Sequence, residues 1–431
     1  MRRVFISCLG IGTKKGEGRF EYDPARYYLT EGEPSTLTPF VQTAELQLLG
    51  AGSFDKVVIV TTEKARGLHF TQLEREIRAL GLRTDLICAV VAEDMSSKGQ
   101  WAWFETILEQ IQPGDHLTVD LTHGYRAIPI IFSTAIHFLQ RSRGVFLEHV
   151  FYGAYDKNRD MSPIIDMKDF YIINEWAEGV SRLIEDADAR KIADMVAGAP
   201  AFQLEDLKDD ALAKAATDLT DRVRNVDMHN VTKSAQSLIK LVAGKKPVNS
   251  MVASLLLQLI AEKYGTLTTS DEVSGRYDRW YFAGQLAYIK LLLEHKLHMQ
   301  AFTVMREVIG SIGLIAVENA RTDTANGRRQ RSKADIFINM LQFEEEKWQF
   351  TEDQQRMKND LLPFYGRLKE CGIEMLLRSF LKELLAYRNG FDHGWTKKPQ
   401  AATDLFAQGQ RFYQGLSEAV FNLEVCGILP N

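Results

Sequence analysis

His116-Leu117-Thr118-Val119-Asp120-Leu121-Thr122-His123-Gly124-Tyr125-Arg126-Ala127-Ile128-Pro129-Ile130-Ile131-Phe132 is the stretch on which the fold is read. Residues 116–121 alternate and are rich in β-branched and apolar side chains, the pattern of a strand. From Ala127 to Leu139 the chain reads as a buried helix, and Pro129 is tolerated because it falls in the first turn. A strand that passes through a short glycine-containing turn into a helix start makes an anion cradle. The turn amides and the positive end of the helix dipole point at one spot. The Thr122 hydroxyl and Arg126 stand ready to add phosphate or ribose contacts. The plainer reading is an ordinary turn in which Asp120 caps, Gly124 supplies backbone freedom and Arg126 is solvated.

Working outward, strands are expected at Val4–Leu9, Lys56–Thr61, Asp85–Val91 and Phe146–Tyr155, with helices at Gln42–Leu49, Thr71–Leu80 and Gln100–Ile111. Strands separated by helical patterns argue for a parallel, doubly wound sheet. Ligands of such sheets collect beyond the C-terminal ends of the strands. Gly10-Ile11-Gly12-Thr13 and Thr122-His123-Gly124 both lie at such ends and are expected to converge on one site. Taken alone, Gly10-Ile11-Gly12 is also what a bare tight turn needs. Glu93–Trp103, which holds the polar loop Met95 to Gln100 directly after a strand, is a further candidate lining segment, with a surface loop as its plainer reading. From about Asn174 the pattern turns helical and stays so, with breaks expected at 197–200 and 244–247.

A second motif lies in that helical half. Leu377, Leu381, Leu384 and Arg388 recur at helical spacing, which sets a guanidinium where an apolar side chain is expected. Arginine cannot shed its charge, so it must face a partner, a cleft or an anionic ligand. Asn389 follows directly, and His393 comes after four intervening residues. A histidine titrates near neutral pH, so the pair suggests acid/base chemistry on a phosphate. The plainer reading is an arginine paired to a carboxylate and a histidine at a helix end. Glu307 or Asp392 is a carboxylate that could orient Arg388 or His393, with a surface ion pair as the plainer reading.

The 431 residues suffice for two or three domains, and 45% hydrophobic with 25% charged residues is ordinary for a globular chain. A net charge of −5 speaks against a broad nucleic-acid binder, so any nucleic-acid contact must be local. The candidate is the basic segment with Arg328, Arg329 and Arg331; a solvated loop is its plainer reading. Four scattered cysteines without CxxC spacing fit a reducing cytoplasm and no zinc site. No leader and no run of ~18 apolar residues is seen, so no membrane partner is expected.

Asp120-Leu121-Thr122-His123-Gly124 resembles the Asp-x-Thr-His-Gly signature of one group of CRISPR-associated Rossmann-fold (CARF) sensor domains. Phe5 to Thr13 looks like the first strand and glycine loop of that group, Thr38 to Ala44 like the start of its first helix, and Val57 to Thr62 like its second strand. Arg388, Asn389 and His393 resemble the RNase motif of HEPN domains. The two in this order resemble the CARF–HEPN effector ribonucleases of type III CRISPR systems.

The resemblance implies an α/β Rossmann-like CARF domain over 1–175, an all-α connector over 176–270 and an all-α HEPN domain over 271–431. It implies a homodimer, extendable to a higher oligomer, whose sensor halves bind cyclic oligoadenylate through Gly10, Gly12, Thr13, Thr38, Ser96, Thr122, His123, Gly124 and Arg126. Cyclic tetra-adenylate is the favoured activator and cyclic hexa-adenylate the second; no further cofactor and no metal is expected. The implied activity is metal-independent cleavage of single-stranded RNA, with the substrate 2′-hydroxyl as nucleophile and Arg388, Asn389 and His393 as catalytic residues. Slow cutting of the ring by the sensor domain is allowed, although a domain that only binds is the expectation adopted. A nucleotide-sensing transcriptional regulator and a non-catalytic HEPN scaffold remain as alternatives. An NAD-type oxidoreductase is disfavoured, because no GxGxxG opens a helix.

Overall fold

Alternation along β1 (Arg3–Leu9) builds two cores at once. Val4, Ile6 and Cys8 join one core with Val58, Val60, Trp103 and Ile128. Phe5 and Leu9 join the other with Phe40, Leu46, Leu73 and Ile77. Successive side chains of a strand point to opposite faces, so β1 must be buried on both sides. The structure, a computed structural model, describes residues 1–16, 18–29, 33–81, 85–198, 204–245, 250–268, 275–325, 327, 330–396 and 404–429. The chain divides into two compact units, Met1–Ile172 and Ile173–Asn431.

In the first unit β1 is followed by β2 (Thr13–Lys15), β3 (Arg19–Glu21), β4 (Arg26–Tyr28), β5 (Lys56–Thr62), β6 (Asp85–Val91), β7 (His116–Asp120), β8 (Phe146–Gly153) and β9 (Met161–Asp166). Seven of these form one sheet in the order β4-β9-β8-β7-β1-β5-β6, while β2 and β3 pair as a separate hairpin. α1 (Val41–Leu49) and α2 (Thr71–Ala79) contribute to the core of Phe5. α3 (Ser97–Gln110) and α4 (Ile128–Arg143) contribute to the core of Val4. The sheet is therefore covered by helices on both faces, as expected for a doubly wound arrangement. It is not wholly parallel, which corrects the expectation: β9 runs antiparallel to β8. The connection from Ala154 to Asp160 is too short for the crossover that a parallel neighbour requires.

Strand order places β5 and β6 on one side of β1 and β7, β8 and β9 on the other. The direction of winding reverses between β1 and β7, which opens a crevice beyond their C-terminal ends. A buried carboxylate ties those ends together. Asp120 accepts from the Ser7 hydroxyl at 2.6 Å and from the Thr122 amide at 2.8 Å, and also from the Thr122 hydroxyl. The Thr122 oxygen in turn accepts from the Gly153 amide at 2.7 Å. One side chain thus joins β1, β7 and β8. Burial pushes the Asp120 carboxyl up, and the hydrogen bonds from Ser7 and Thr122 pull it back. A Cβ at Gly153 would stand 2.6 Å from Val41 Cγ2, so α1 lies directly on β8.

The chain crosses into the second unit within α5 (Lys168–Asp186). There follow α6 (Arg190–Ala197), α7 (Asp210–Arg224), α8 (Val231–Gly244), α9 (Met251–Gly265), α10 (Arg279–Glu294), α11 (His298–Leu314), α12 (Ser332–Gln342), α13 (Glu352–Glu370), α14 (Ile373–Asp392) and α15 (Leu405–Val425). α11 is buried almost all round from Val308 to Leu314, as an apolar helix at the centre of a bundle must be. It packs against α10, α12, α14 and α15. The expected connector and C-terminal domain fall in this one unit, and the step from 270 to 271 lies outside the described residues. Among the described residues no helix is long and apolar enough to cross a membrane.

Asp120→Ala leaves the Ser7 hydroxyl and the Thr122 groups without their buried acceptor. It is expected to lower the unfolding free energy by about 2–4 kcal/mol in urea melts at neutral pH. Asp120→Asn keeps an acceptor for the Thr122 amide and should cost clearly less. Equal stability of Asp120→Ala and the parent chain would show that the strand ends are held by something else.

Candidate functional site

The crevice at the β1/β7 reversal is a cleft of about 480 Å³. Two turns form its floor, Gly10, Gly12 and Thr13 after β1 and Thr122, His123 and Gly124 after β7. The convergence expected from the sequence is therefore present within the first unit. Gly12 sits at φ +75°, and a Cβ there would stand 2.6 Å from the Glu21 carbonyl oxygen, so the β2–β3 hairpin folds against it only because it is glycine. Gly124, at φ +120°, lets the chain enter α4 beside Ile128.

Thr122 lines the cleft, but its hydroxyl is already engaged, donating to Asp120 and accepting from Gly153. His123 is different. Its Nε2 is buried and has no hydrogen-bond partner among the described residues. The ring lies 4.7 Å from that of Tyr22, which also meets His69 at 5.0 Å. Burial first, and His69 second, push the His123 imidazole down to about 4. It is uncharged at neutral pH and offers a hydrogen bond rather than a charge.

The other expected contacts are placed otherwise. Thr38 is buried away from the lining; its hydroxyl donates to Glu76 at 2.6 Å and accepts from the Phe40 amide at 3.1 Å, which fastens the start of α1. Ser96 caps α3, accepting from the Gly99 amide at 3.3 Å while its hydroxyl donates to Asp94 at 2.7 Å. Arg126 is exposed, does not line the cleft, and has no ion pair among the described residues. Of the walls, Glu93 and Trp103 are the two ends of the segment expected to line the site, while Tyr22, Tyr27, Tyr125 and Tyr155 were missed by the sequence reading. Tyr22, Tyr27, Trp103, Tyr125 and Tyr155 bring aromatic surface, and the Tyr125 hydroxyl donates to Glu93 at 3.0 Å. Such walls suit flat heterocycles, which stack on aromatic faces. No lysine or arginine lines the cleft among the described residues, so an anion there meets turn amides and a helix start.

In the second unit Leu377, Leu381 and Leu384 are buried along α14, and Arg388 is the next member of that stripe, half-buried where the helix emerges. Its Nη1 pairs with Asp392 at 2.6 Å, while its Nε is buried without a partner. Asp392 is therefore the carboxylate that orients Arg388. Glu307 is not: it is bound by Arg306 and by Arg331. Arg331 also donates to Ser311 at 3.1 Å. Burial works to lower the Arg331 pKa, but the nearby Tyr281 and Glu307 more than offset it. Arg331 is committed inside the bundle and is not open to a phosphate. Arg328 and Arg329 lie outside the described residues. Asn389 and His393 are exposed, and His393 is the C-cap of α14, its amide donating to the Asn389 carbonyl at 3.1 Å. An exposed arginine–carboxylate pair is worth under ~1 kcal/mol, so a phosphate can replace Asp392 on Arg388 at little cost.

No family model matches the chain. A CRISPR-associated protein of Methanocaldococcus jannaschii is 23% identical over 250 residues, a region that is 44% of this chain and 39% of that protein. The chain thus spans about two fifths of the length of the curated relative it matches. Among solved structures, Enterococcus italicus Csm6 bound to cyclic hexa-2′-fluoro-hexa-dAMP aligns over 100% of both chains at a TM-score of 0.39 and 9% identity. A likeness at that score carries no argument.

The His123 imidazole provides a pH test. In the unfolded chain it takes its proton near ~6.5. Between that pH and about 4, the unfolded state binds a proton that the folded unit does not. Stability is therefore expected to fall as pH drops through this window. In the folded protein the His123 ring-proton resonance should stay flat through mildly acid pH and move only near about 4. A midpoint near ~6.5 would show that the ring is open to water.

Proposed function

We propose that the chain is a cyclic-oligoadenylate-activated, metal-independent endoribonuclease of type III CRISPR defence. The reading is supported by the presence in one chain of an aromatic-lined cleft at a topological reversal and of Arg388 and His393 at an open helix end. In the first unit, adenine rings stack on the tyrosine and tryptophan walls. Phosphates meet the amides of the Gly10–Gly12 and Thr122–Gly124 turns, and neutral His123 gives a hydrogen bond to ribose or base. A ring with an even number of identical nucleotides can lie on a two-fold axis and meet two protomers alike. Cyclic tetra-adenylate is the first ring to test and cyclic hexa-adenylate the second.

In the second unit, cleavage uses the substrate's own 2′-hydroxyl. His393 accepts or returns the proton, and Arg388 leaves Asp392 to fork onto the two oxygens of a phosphorane that carries extra negative charge. Asn389 holds the ribose. Two protomers placing this set at a shared axis would supply one imidazole for each proton moved. Only a ring that binds the active arrangement better than the resting one can shift the population.

The test is cleavage of single-stranded RNA in EDTA, with and without each cyclic oligoadenylate. Activity is expected only with a ring, and Arg388→Ala or His393→Ala should each lower kcat by roughly 10²-fold or more. Strong cleavage without a ring would overturn the activation, and a requirement for metal would overturn the chemistry. Intact RNA under every condition would leave a sensor or scaffold as the better reading.

A further inference from the structure

Directly after His393, Gly394 and Trp395 both take left-handed backbone, at φ +55° and +57°. Glycine does this freely, while for a bulky tryptophan it is an outlier that surrounding contacts must enforce. The chain reverses here. The Gly394 amide donates to the Phe391 carbonyl at 3.1 Å and the Trp395 amide to the Gly390 carbonyl at 2.8 Å. These two bonds close α14 as a Schellman motif, whose usual accompaniment is an apolar contact back onto the last turn. In this chain that contact is made by an indole on a glycine. A Cβ at Gly390 would stand 2.5 Å from the Trp395 ring, so the ring rests on the helix backbone itself.

Tyr387 and Phe391 flank the indole edge-on at 5.9 and 5.4 Å, and both also meet the buried Phe302 of α11. The His393 carbonyl accepts from the Thr396 amide at 3.2 Å and from its hydroxyl at 3.0 Å. The imidazole is exposed, yet the backbone beneath it is held from both sides.

We propose that Trp395 is a positioning residue for the Arg388–His393 pair. Its indole, seated on Gly390 and pinned by Tyr387 and Phe391, fixes the last turn of α14 and with it the direction in which His393 leaves the helix. A free helix end would let that turn fray, and the imidazole would sample a cone instead of a line. The assignment rests on the nuclease reading for its consequence, but not for its geometry.

Two variants test it from opposite sides. Trp395→Ala removes the indole; Gly390→Ala keeps every aromatic ring and lifts the indole off the helix. Trp395→Phe is the conservative control. Hydrogen exchange of the amides of residues 394 and 395 should quicken about ten-fold or more in both disruptive variants, with partial protection in Trp395→Phe. kcat for RNA should fall roughly 10²-fold while KM stays near its parent value. Cyclic-oligoadenylate binding and a cooperative melt should be retained, which shows that the chain is folded. Unchanged exchange and unchanged kcat in both variants would overturn the proposal. So would a raised KM with unchanged exchange, the mark of an indole that stacks on an RNA base. A parent chain that cuts no RNA would remove the nuclease reading, and exchange at these amides would still decide whether the indole holds the turn.

Discussion

A single buried carboxylate organises the first unit. Asp120 has no access to solvent, and an acid in that position is tolerable only if its oxygens are satisfied. They are satisfied by groups from β1 and from the turn after β7, and the same threonine passes the connection on to β8. The electrostatic need of one side chain therefore fixes the relative positions of three strand ends, and the two glycine turns take their places from those ends. Nearby, Glu45 is also fully buried, and neither carboxyl oxygen has a partner among the described residues. Burial, and then the Asp120 charge, push Glu45 well above the usual carboxylate range. The interior thus carries one acid whose oxygens are hydrogen-bonded and one, shifted upward, with no partner among the described residues.

What the sequence disclosed follows from how each element is stabilised. β1, β5 and β6 are seven-residue runs rich in apolar side chains and β7 and β8 mix apolar with polar residues, patterns that are legible in the sequence. β2, β3 and β4 are three residues each and exist because a neighbour pairs with them, which no local pattern announces. β9 contains Pro163, a residue that argues against a strand, yet Pro163 still lends its carbonyl to the Ala154 amide. The glycine turns were legible because backbone conformation is written in residue type. The aromatic walls were not: Tyr22, Tyr27 and Tyr155 come from separate segments with no shared period. Thr38 and Ser96 show the ambiguity of hydroxyls, which fasten the approach to a helix or cap its start with the same oxygen that could bind a ligand. A Ser directly before the helical pattern was the available sign that Ser96 caps α3.

The second unit teaches a related lesson about charge. Arg388 and Arg331 both lie against apolar surroundings, and the sequence offered both as phosphate ligands. Arg331 meets Glu307 and Ser311 inside the bundle, where its charge is spent on holding α11 and α12 together. Arg388 meets Asp392, one turn along its own exposed helix end, and more distantly the Asn389 side chain at 3.4 Å. Spacing within one helix made the Arg388–Asp392 pair predictable. The Arg331–Glu307 pair joins distant segments and could not be foreseen from either one.

The cleft has no lysine or arginine in its described lining, and this sets what ionic strength can do to it. Lysines and arginines that grip phosphate displace condensed cations, and their grip loosens steeply as salt rises. Backbone dipoles sheltered in a crevice hold no such atmosphere and are screened far less. On the proposed reading, the affinity of such a cleft for an anion would change far less between dilute buffer and a salty cell than that of a site built on lysine and arginine.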